Sequence, residues 1–370
     1  MSGSARTWTA VTGRGTVDTT PTTTGPLGID VEPVGRWLAG RLPDFRAPFR
    51  YTRVTGGHSN LTYLVTDRDG GRCVLRRPPV GRLLATAHNV IREHDVMLRV
   101  AGTGVPVPRM LGACEDERVT GAPFYVMAYV EGAVVDTAAD ADALLPSPAA
   151  RARAAESLVD ALASLHRIDV DARGLGGLAR RGGYLGRQLK RWSEQWEAAR
   201  LDGLEEMSEL YAWLVAHQPS ETVSCLVHGD FRLGNTLVGP DGTVRALLDW
   251  ELCTLGEALL DLAYFLRAWS EPDLRPGFAR PVGSLPGFPG ADELVARYAE
   301  RSGRSVEELP YWRAFTAWRS AAILAGVYRR YLDGQMGERP DGLAYYRAEV
   351  GSRIRQGLAA ARSVPRARPV

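Results

Sequence analysis

CLVHGDFRLGNTLV, residues 225–238, sets a His, an Asp and an Asn in a loop between two apolar runs. Cys225-Leu226-Val227 and Thr236-Leu237-Val238 favour strands, while His228-Gly229-Asp230 and Gly234-Asn235 favour a tight loop between them. Such a loop is rigid enough for chemistry and open enough for a substrate. An isolated HGD is more often an ordinary turn whose Asp and Asn satisfy their own backbone, so its meaning depends on partners elsewhere. Downstream, GPDG (239–242) is a turn, and VRALLDWE (244–251) is a strand returning antiparallel to Thr236-Leu237-Val238. Counted outward from that turn, Asn235 and Asp249 fall near the same open end of the hairpin, with Asp230 on the loop just before it. Two carboxylates and a carboxamide therefore converge, which turn chemistry alone does not explain. An Asp and an Asn are hard oxygen ligands suited to Mg²⁺, which keeps waters and phosphate oxygens in its other positions. A separate Asp able to accept a hydroxyl proton completes the requirements of phosphoryl transfer.

The rest of the composition is permissive. At 370 residues, 45% hydrophobic and 24% charged, the chain has room for one large or two medium globular domains. A formal net charge of +2 gives no support for a nucleic-acid binder. Lys190 is the only lysine against many arginines, a skew that fits a GC-rich genome, although guanidinium groups also suit phosphates. Cys73, Cys114, Cys225 and Cys253 form no CxxC pair and read as reduced core thiols. No run of about 18 apolar residues offers a membrane span, and the Thr- and Gly-rich start has no apolar signal block. A cytoplasmic protein without membrane or nucleic-acid partners is the expectation; oligomeric state is left open.

Along the chain, residues 1–28 read as a flexible leader. A helix carrying Val34, Trp37, Leu38 and Leu42 follows. YTRVTGGHSNLTYLVTDRDGGRCVLRRPP (51–79) then reads as three strands, turning at Gly56-Gly57 and Asp69-Gly70-Gly71. Residues 86–101 look helical, with Val90, His94, Met97 and Leu98 on one side, before the extended VPVPRML and PFYVMAYVEG. From about 150 helices dominate: the Leu158-Leu162-Leu165 helix, then 184–217, 257–269, 291–301 and 310–332. The Pro/Gly-rich 271–290 is a surface loop. The expected fold class is α+β in two lobes. Residues 29–130 form a small antiparallel-sheet N-lobe and 131–362 a mainly helical C-lobe. Residues 363–370 form a flexible tail.

HGDFRLGN followed by LLDWE resembles the aminoglycoside phosphotransferase and choline kinase-like family, which has a protein-kinase-like fold. The spacing from Asp230 to Asn235 matches the kinase H-R-D-x-x-x-x-N pattern. The resemblance implies that Asp230 is the catalytic Asp, that Asn235 and Asp249 hold Mg²⁺, and that ATP or GTP is the phosphate donor. In VTGGHSNLTYLV it implies that Gly56, Gly57, Ser59 and Asn60 cover the phosphates, although the G-x-G-x-x-G of protein kinases is missing; His58 is read as structural. On the strand CVLRR, Val74 and Arg76 face one side and Cys73, Leu75 and Arg77 the other. Arg76 thus matches the phosphate-binding Lys of V-A-I-K, with an Arg in its place. Its implied partner is Glu93, for which a solvated helix surface is the other reading. FYVMAYVEG is the implied hinge, with adenine meeting the backbone around Ala128 and Val130. In GEALLDLAYFL, Glu257 and Ala258 depart from the G-D-P-x-x-D-L of similar proteins. Asp261 and His166 are assigned to bracing the catalytic loop.

The acceptor is a small-molecule hydroxyl, placed over the helices 184–217 and 264–332. The aromatics there (Trp192, Trp196, Trp213, Tyr264, Trp269, Trp312, Trp318) are read as core. Glu194, Glu197, Glu205, Glu206 and Glu209 alternate with arginines like ordinary solvated faces, not a polycation cleft. In wording the motifs look closest to the branch associated with acyl-CoA dehydrogenases, which implies a hydroxyacyl-CoA or similar acid. An antibiotic or other natural-product hydroxyl is the alternative acceptor. A nucleotide-binding pseudokinase is the alternative class, against which stands the retention of Asp230, Asn235 and Asp249. A protein kinase is disfavoured because D-W-E runs quickly into a helix without an activation segment.

Overall fold

The computed structural model describes residues 17–18, 25–54, 60–81, 89–220, 224–273, 278–335 and 343–364. The sequence expectations for Gly56, Gly57, His58 and Ser59 lie outside these residues. The first half of the chain builds an antiparallel sheet from β1 (Val17–Asp18), β2 (Arg50–Val54), β3 (Leu61–Thr66), β4 (Arg72–Arg77), β5 (Met110–Cys114) and β6 (Phe124–Ala128), ordered β1-β2-β3-β4-β6-β5. Helix α1 (Val31–Arg41) covers one face: Val34 and Leu38 pack with Tyr63, Val65, Cys73, Leu75, Phe124 and Val126. The opposite face, with Val74, Tyr125 and Met127, meets Val96, Met97 and Val100 of α2 (Val90–Val100) and runs on into the core of the second half. Both faces are covered, so β4 is apolar at consecutive positions rather than alternating.

Asn89 caps α2 by accepting the Arg92 amide at 2.9 Å. The helix turns differently from the sequence expectation. Leu98, expected on the apolar side, is 54% exposed; Glu93, expected to pair with Arg76, is 2% exposed, the ion-pair partner inside offsetting the usual rule for a carboxylate.

The second half is mainly helical: α3 (Ala138–Leu144), α4 (Pro148–His166), α5 (Tyr184–Ala199), α6 (Glu206–Ala216), α7 (Ala258–Ser270), α8 (Ala291–Ser302), α9 (Leu309–Leu332) and α10 (Ala344–Arg362). The helical stretch expected over 184–217 breaks into α5 and α6, where Gly203 takes φ +70°. Helices α3 and α10 have no counterpart in the sequence expectation. The Pro/Gly-rich segment is also more than a surface loop, since Leu285 is buried and the Trp269 indole donates to Pro289 O at 3.2 Å. Two short antiparallel ladders sit under the sheet: β7 (Cys225–Val227) with β10 (Thr254–Gly256), and β8 (Thr236–Val238) with β9 (Val244–Leu247). All four cysteines are free and buried. Among the described residues no helix is long and apolar enough to cross a membrane.

Part of the expected leader is anchored. Val17 and Asp18 pair with β2, the Tyr63 hydroxyl donates to Leu27 O, and the Arg77 guanidinium donates to Gly28 O. Arg77 is itself 4% exposed, with Nη1 donating to Thr120 O at 2.8 Å and Nε to Pro78 O at 3.0 Å. It staples the leader to the outer face of the sheet, away from Arg76. Arg77→Met is therefore expected to lower stability, by about 1–3 kcal/mol for a buried carbonyl left unbonded. Denaturant unfolding measures this, and an unchanged midpoint would show that the staple contributes nothing.

Candidate active site

The loop after β7 is held from beneath. Asp261, in the first turn of α7, accepts the His228 amide at 2.5 Å and the Gly229 amide at 2.9 Å. Its Oδ2 lies 3.5 Å from His166 Nε2, and His166 Nδ1 lies 2.7 Å from the Tyr298 hydroxyl. These partners are consistent with a neutral imidazole donating from Nε2 to the carboxylate. Burial pushes the Asp261 carboxyl up, but His166, His228 and the Gly229 amide outweigh it and hold it below its usual range. Burial pushes His166 down. His228 Nε2 donates to Leu248 O at 2.9 Å, and its Nδ1 accepts the Asp230 amide at 3.3 Å. Gly229 takes φ +86°, and a Cβ there would come within 2.7 Å of Leu252 O, so the turn requires glycine.

That scaffold brings the three motif residues together. Asn235 Nδ2 donates to the Asp230 backbone oxygen at 2.8 Å and to Asp230 Oδ2 at 2.7 Å. The Asn235 backbone oxygen accepts the Leu248 amide at 2.8 Å, so Asp249 begins beside it. Asp230 Oδ1 has no hydrogen-bond partner, with Arg232 Nε 3.6 Å away. Arg232 also pairs with Asp136 and donates to Asn235 Oδ1 at 3.3 Å.

Arg76 reaches the same site from β4. Its Nε lies 3.1 Å from Glu93 Oε2, and its Nη2 lies 2.7 Å from Asp249 Oδ1. Burial would lower the Arg76 pKa, but Glu93, Tyr125 and Asp249 hold it above its ordinary value. Burial pushes the Glu93 carboxyl up, opposed by Arg76. Glu93 Oε1 accepts the Trp250 amide at 3.2 Å. Asp249 is the one non-glycine residue with positive φ among those described, at φ +65°, a cost tolerated where the surroundings fix it. A second α2 residue, Arg92, donates to Cys253 O at 2.5 Å.

The remaining expected residues spread over the sheet. Asn60 is buried just before β3, its Oδ1 without a partner. Ala128 ends β6 opposite Cys73, its amide donating to Arg109 O at 2.8 Å. Val130 lies two residues past the strand and is half-buried. Trp192, Trp196, Trp269, Trp312 and Trp318 are buried in the core, as the sequence suggests.

Beside Asp230 opens a cavity of about 290 Å³, lined among others by Arg232, Tyr264, Arg267, Glu271 and Arg280. Burial, and then the Asp230 charge, push the Tyr264 hydroxyl up. Asp136, Arg92 and Arg267 went unidentified in the sequence. Arg232 alone carried a signal, as a cation two residues past the motif Asp.

The oxygen donors fit Mg²⁺ in kind: Asp249 keeps Oδ2 clear of the Arg76 contact and stays one-third exposed, and Asn235 adds a carbonyl oxygen. Among the described residues no group of three or more His, Cys, Asp or Glu is placed to hold a metal. An ion here would complete its shell from water and phosphate.

The profile of the family described as "Phosphotransferase enzyme family" matches residues 50–315. Acyl-CoA dehydrogenase family member 10 of Mus musculus is 35% identical over 84% of this chain, which spans only 29% of that protein. A structure from Ralstonia eutropha JMP134, described as a candidate aminoglycoside phosphotransferase, is 30% identical with a TM-score of 0.78, covering 91% of this chain and 99% of that one. A thermostable mutant of aminoglycoside phosphotransferase APH(4)-Ia, in ternary complex with AMP-PNP and hygromycin B, is 16% identical with a TM-score of 0.56, covering 88% and 98%. At that identity the likeness is one of fold. The two-lobed, kinase-like α+β architecture expected from the sequence is the one these structures share.

Asp261→Asn exchanges one carboxylate oxygen for a donor facing a backbone amide. The variant is expected to unfold at lower denaturant by about 1–3 kcal/mol and to lower any turnover of the site through a displaced loop. Wild-type stability and turnover together would refute the bracing role.

Proposed function

The chain belongs to the phosphotransferase enzyme family, and on that premise we infer that it moves the γ-phosphate of ATP or GTP to a hydroxyl of a small molecule. The observation that carries this reading is the convergence of Asp230, Asn235 and Asp249 with the Arg76–Glu93 pair. Phosphoryl transfer asks little covalent chemistry of a protein; it asks for positioning and for charge opposite the phosphates. Asp230 would take the acceptor proton on Oδ1, the oxygen with no hydrogen bond of its own. The acceptor oxygen then forms its bond to the γ-phosphorus as the bond to the β–γ bridging oxygen breaks. Arg76, held by Glu93, would meet the donor phosphates with its fork. Asn235 and Asp249 would hold Mg²⁺, which when bound neutralises charge on the phosphates. The phosphate-covering role of Gly56, Gly57, Ser59 and Asn60, and adenine binding at Ala128 and Val130, belong to the same proposal.

For the acceptor we propose a hydroxyacyl-CoA or related hydroxy acid. Similarity to a protein named as an acyl-CoA dehydrogenase family member supports this.

Asp230→Asn is expected to lower kcat by about 10²- to 10⁴-fold while nucleotide affinity stays close to wild type. Asp249→Asn is expected to abolish transfer at any Mg²⁺ concentration. Steady-state kinetics with nucleotide titration checks both, and collapsed nucleotide affinity in Asp230→Asn with normal turnover of what binds would reverse the roles.

Arg76→Met should raise the ATP KM and lower kcat, and Arg76→Lys should retain a substantial part of the activity. Glu93→Gln should act as a milder Arg76→Met, and the double variant should lose much less than the sum. Strict additivity would show that the two residues do not act as a unit.

A further inference from the structure

The cavity beside Asp230 has an unequal inventory of hydrogen-bonding groups. Two of its acids are in ion pairs, Asp136 with Arg232 and Asp273, whose Oδ2 lies 3.2 Å from Arg353 of α10; Glu271 Oε2 lies 3.7 Å from Arg353 and, like Asp230 Oδ1, has no hydrogen-bond partner. Arg353 is 1% exposed and pairs with Glu349 as well. Two cations in the wall remain. Arg267 Nε is buried without a hydrogen-bond partner, and its guanidinium lies over the Tyr264 ring. Among the described residues Arg280 pairs with Asp142, at 3.9 Å. Glu271 feels the charge of Arg267 first and then of Arg353 and Arg313, so three guanidiniums stand around one carboxylate. The same cavity is also lined by Ala268, Phe278, Pro281 and Val282.

We propose that Arg267, assisted by Arg280, is the specificity-determining residue of the acceptor site and binds an anionic group of the acceptor across an apolar stem from the hydroxyl that faces Asp230. This rests on the phosphotransferase reading and deepens it. The ligand chemistry is a carboxylate or phosphate oxygen, which a guanidinium binds with two parallel N–H donors. A buried Arg nitrogen lacking a partner is costly, and an anion supplies one. A polycationic acceptor would face repulsion from Arg267 and Arg280.

The test uses the full chain with Mg²⁺ and ATP and four acceptors: 3-hydroxybutyrate, its neutral amide, 3-hydroxybutyryl-CoA and kanamycin. In the wild type an anionic acceptor should have a KM at least about tenfold below that of the amide. Arg267→Ala should raise that KM by about 10- to 100-fold, as expected for one charge-assisted bond, and close the gap to the amide. Arg267→Lys should restore part of the preference, and equal melting temperatures exclude misfolding as the cause. Preference for the free acid assigns the anion as its carboxylate, and preference for the thioester assigns it as a phosphate of the CoA. Equal use of acid, amide and thioester, preference for kanamycin, or an Arg267→Ala variant with unchanged acceptor KM overturns the anion site while leaving phosphotransfer standing. A wild-type chain that neither binds MgATP nor transfers phosphate to any of the four overturns the underlying reading, and the inference with it.

Discussion

Among the described residues Arg76 is the one cation paired with both Glu93 and Asp249, where three segments distant in sequence meet. It stands on β4, Glu93 on α2, and Asp249 just past β9, with contacts of 3.1 Å and 2.7 Å. Two carboxylates on one guanidinium leave each acid only partly neutralised, and burial pushes Glu93 up despite its partner. Such a cluster adds little net stability over an apolar core of the same shape, yet removing one member exposes the full cost of the others. It therefore fixes geometry more than it adds stability. The Trp250 amide on Glu93 and the Cys253 carbonyl on Arg92 extend the same lock along α2. The sheet cannot shift against the second half without breaking charged contacts.

The loop that carries Asp230 is fixed by a different means. Its two leading amides end on one buried carboxylate, Asp261, and its His228 ring is clamped between Leu248 O and the Asp230 amide. Asn235 then ties the end of the loop back to its start. The result is a carboxylate with one oxygen engaged and one unbonded, on a backbone that has little freedom to move. Preorganisation of this kind is what a reaction limited by positioning requires.

Much of this was legible because it is local or periodic. The spacing from Asp230 to Asn235, the hairpin bringing Asp249 alongside, and the strand alternation that separates Arg76 from Arg77 all follow from short-range geometry. Glu93 was ambiguous, since a helix surface and an ion-pair partner look alike until burial is known. What stayed hidden depends on tertiary packing. Asp136 meets Arg232 across 96 residues of sequence, and no period points to it. Helix α10 carries Gly351 and Gly357, which weaken its helical signal. A Cβ on Gly357 would lie 2.4 Å from Leu210 and 3.3 Å from Ala314 O, so that glycine marks close helix packing, a fact invisible in one sequence. Strand β10 is three residues long and exists because β7 is there to receive it.

The two kinds of constraint fall on different parts of the molecule. Arg76, Asn235 and Asp249 stand on or next to strands and are held by ion pairs and backbone amides, so a change in one is transmitted to the others. The wall of the neighbouring cavity comes from the end of α7 and the chain leading to α8, supported from below by Arg353 of α10. The same cavity is lined by Asp230 and Arg232 of the motif loop and by Tyr264 of α7. Arg267, Arg280 and Phe278 line that cavity, whereas Asp249 and Arg76 do not. A fold divided in this way can keep one reaction while its acceptor changes, and for that reason the acceptor has to be argued from the cavity wall and not from the shared motif.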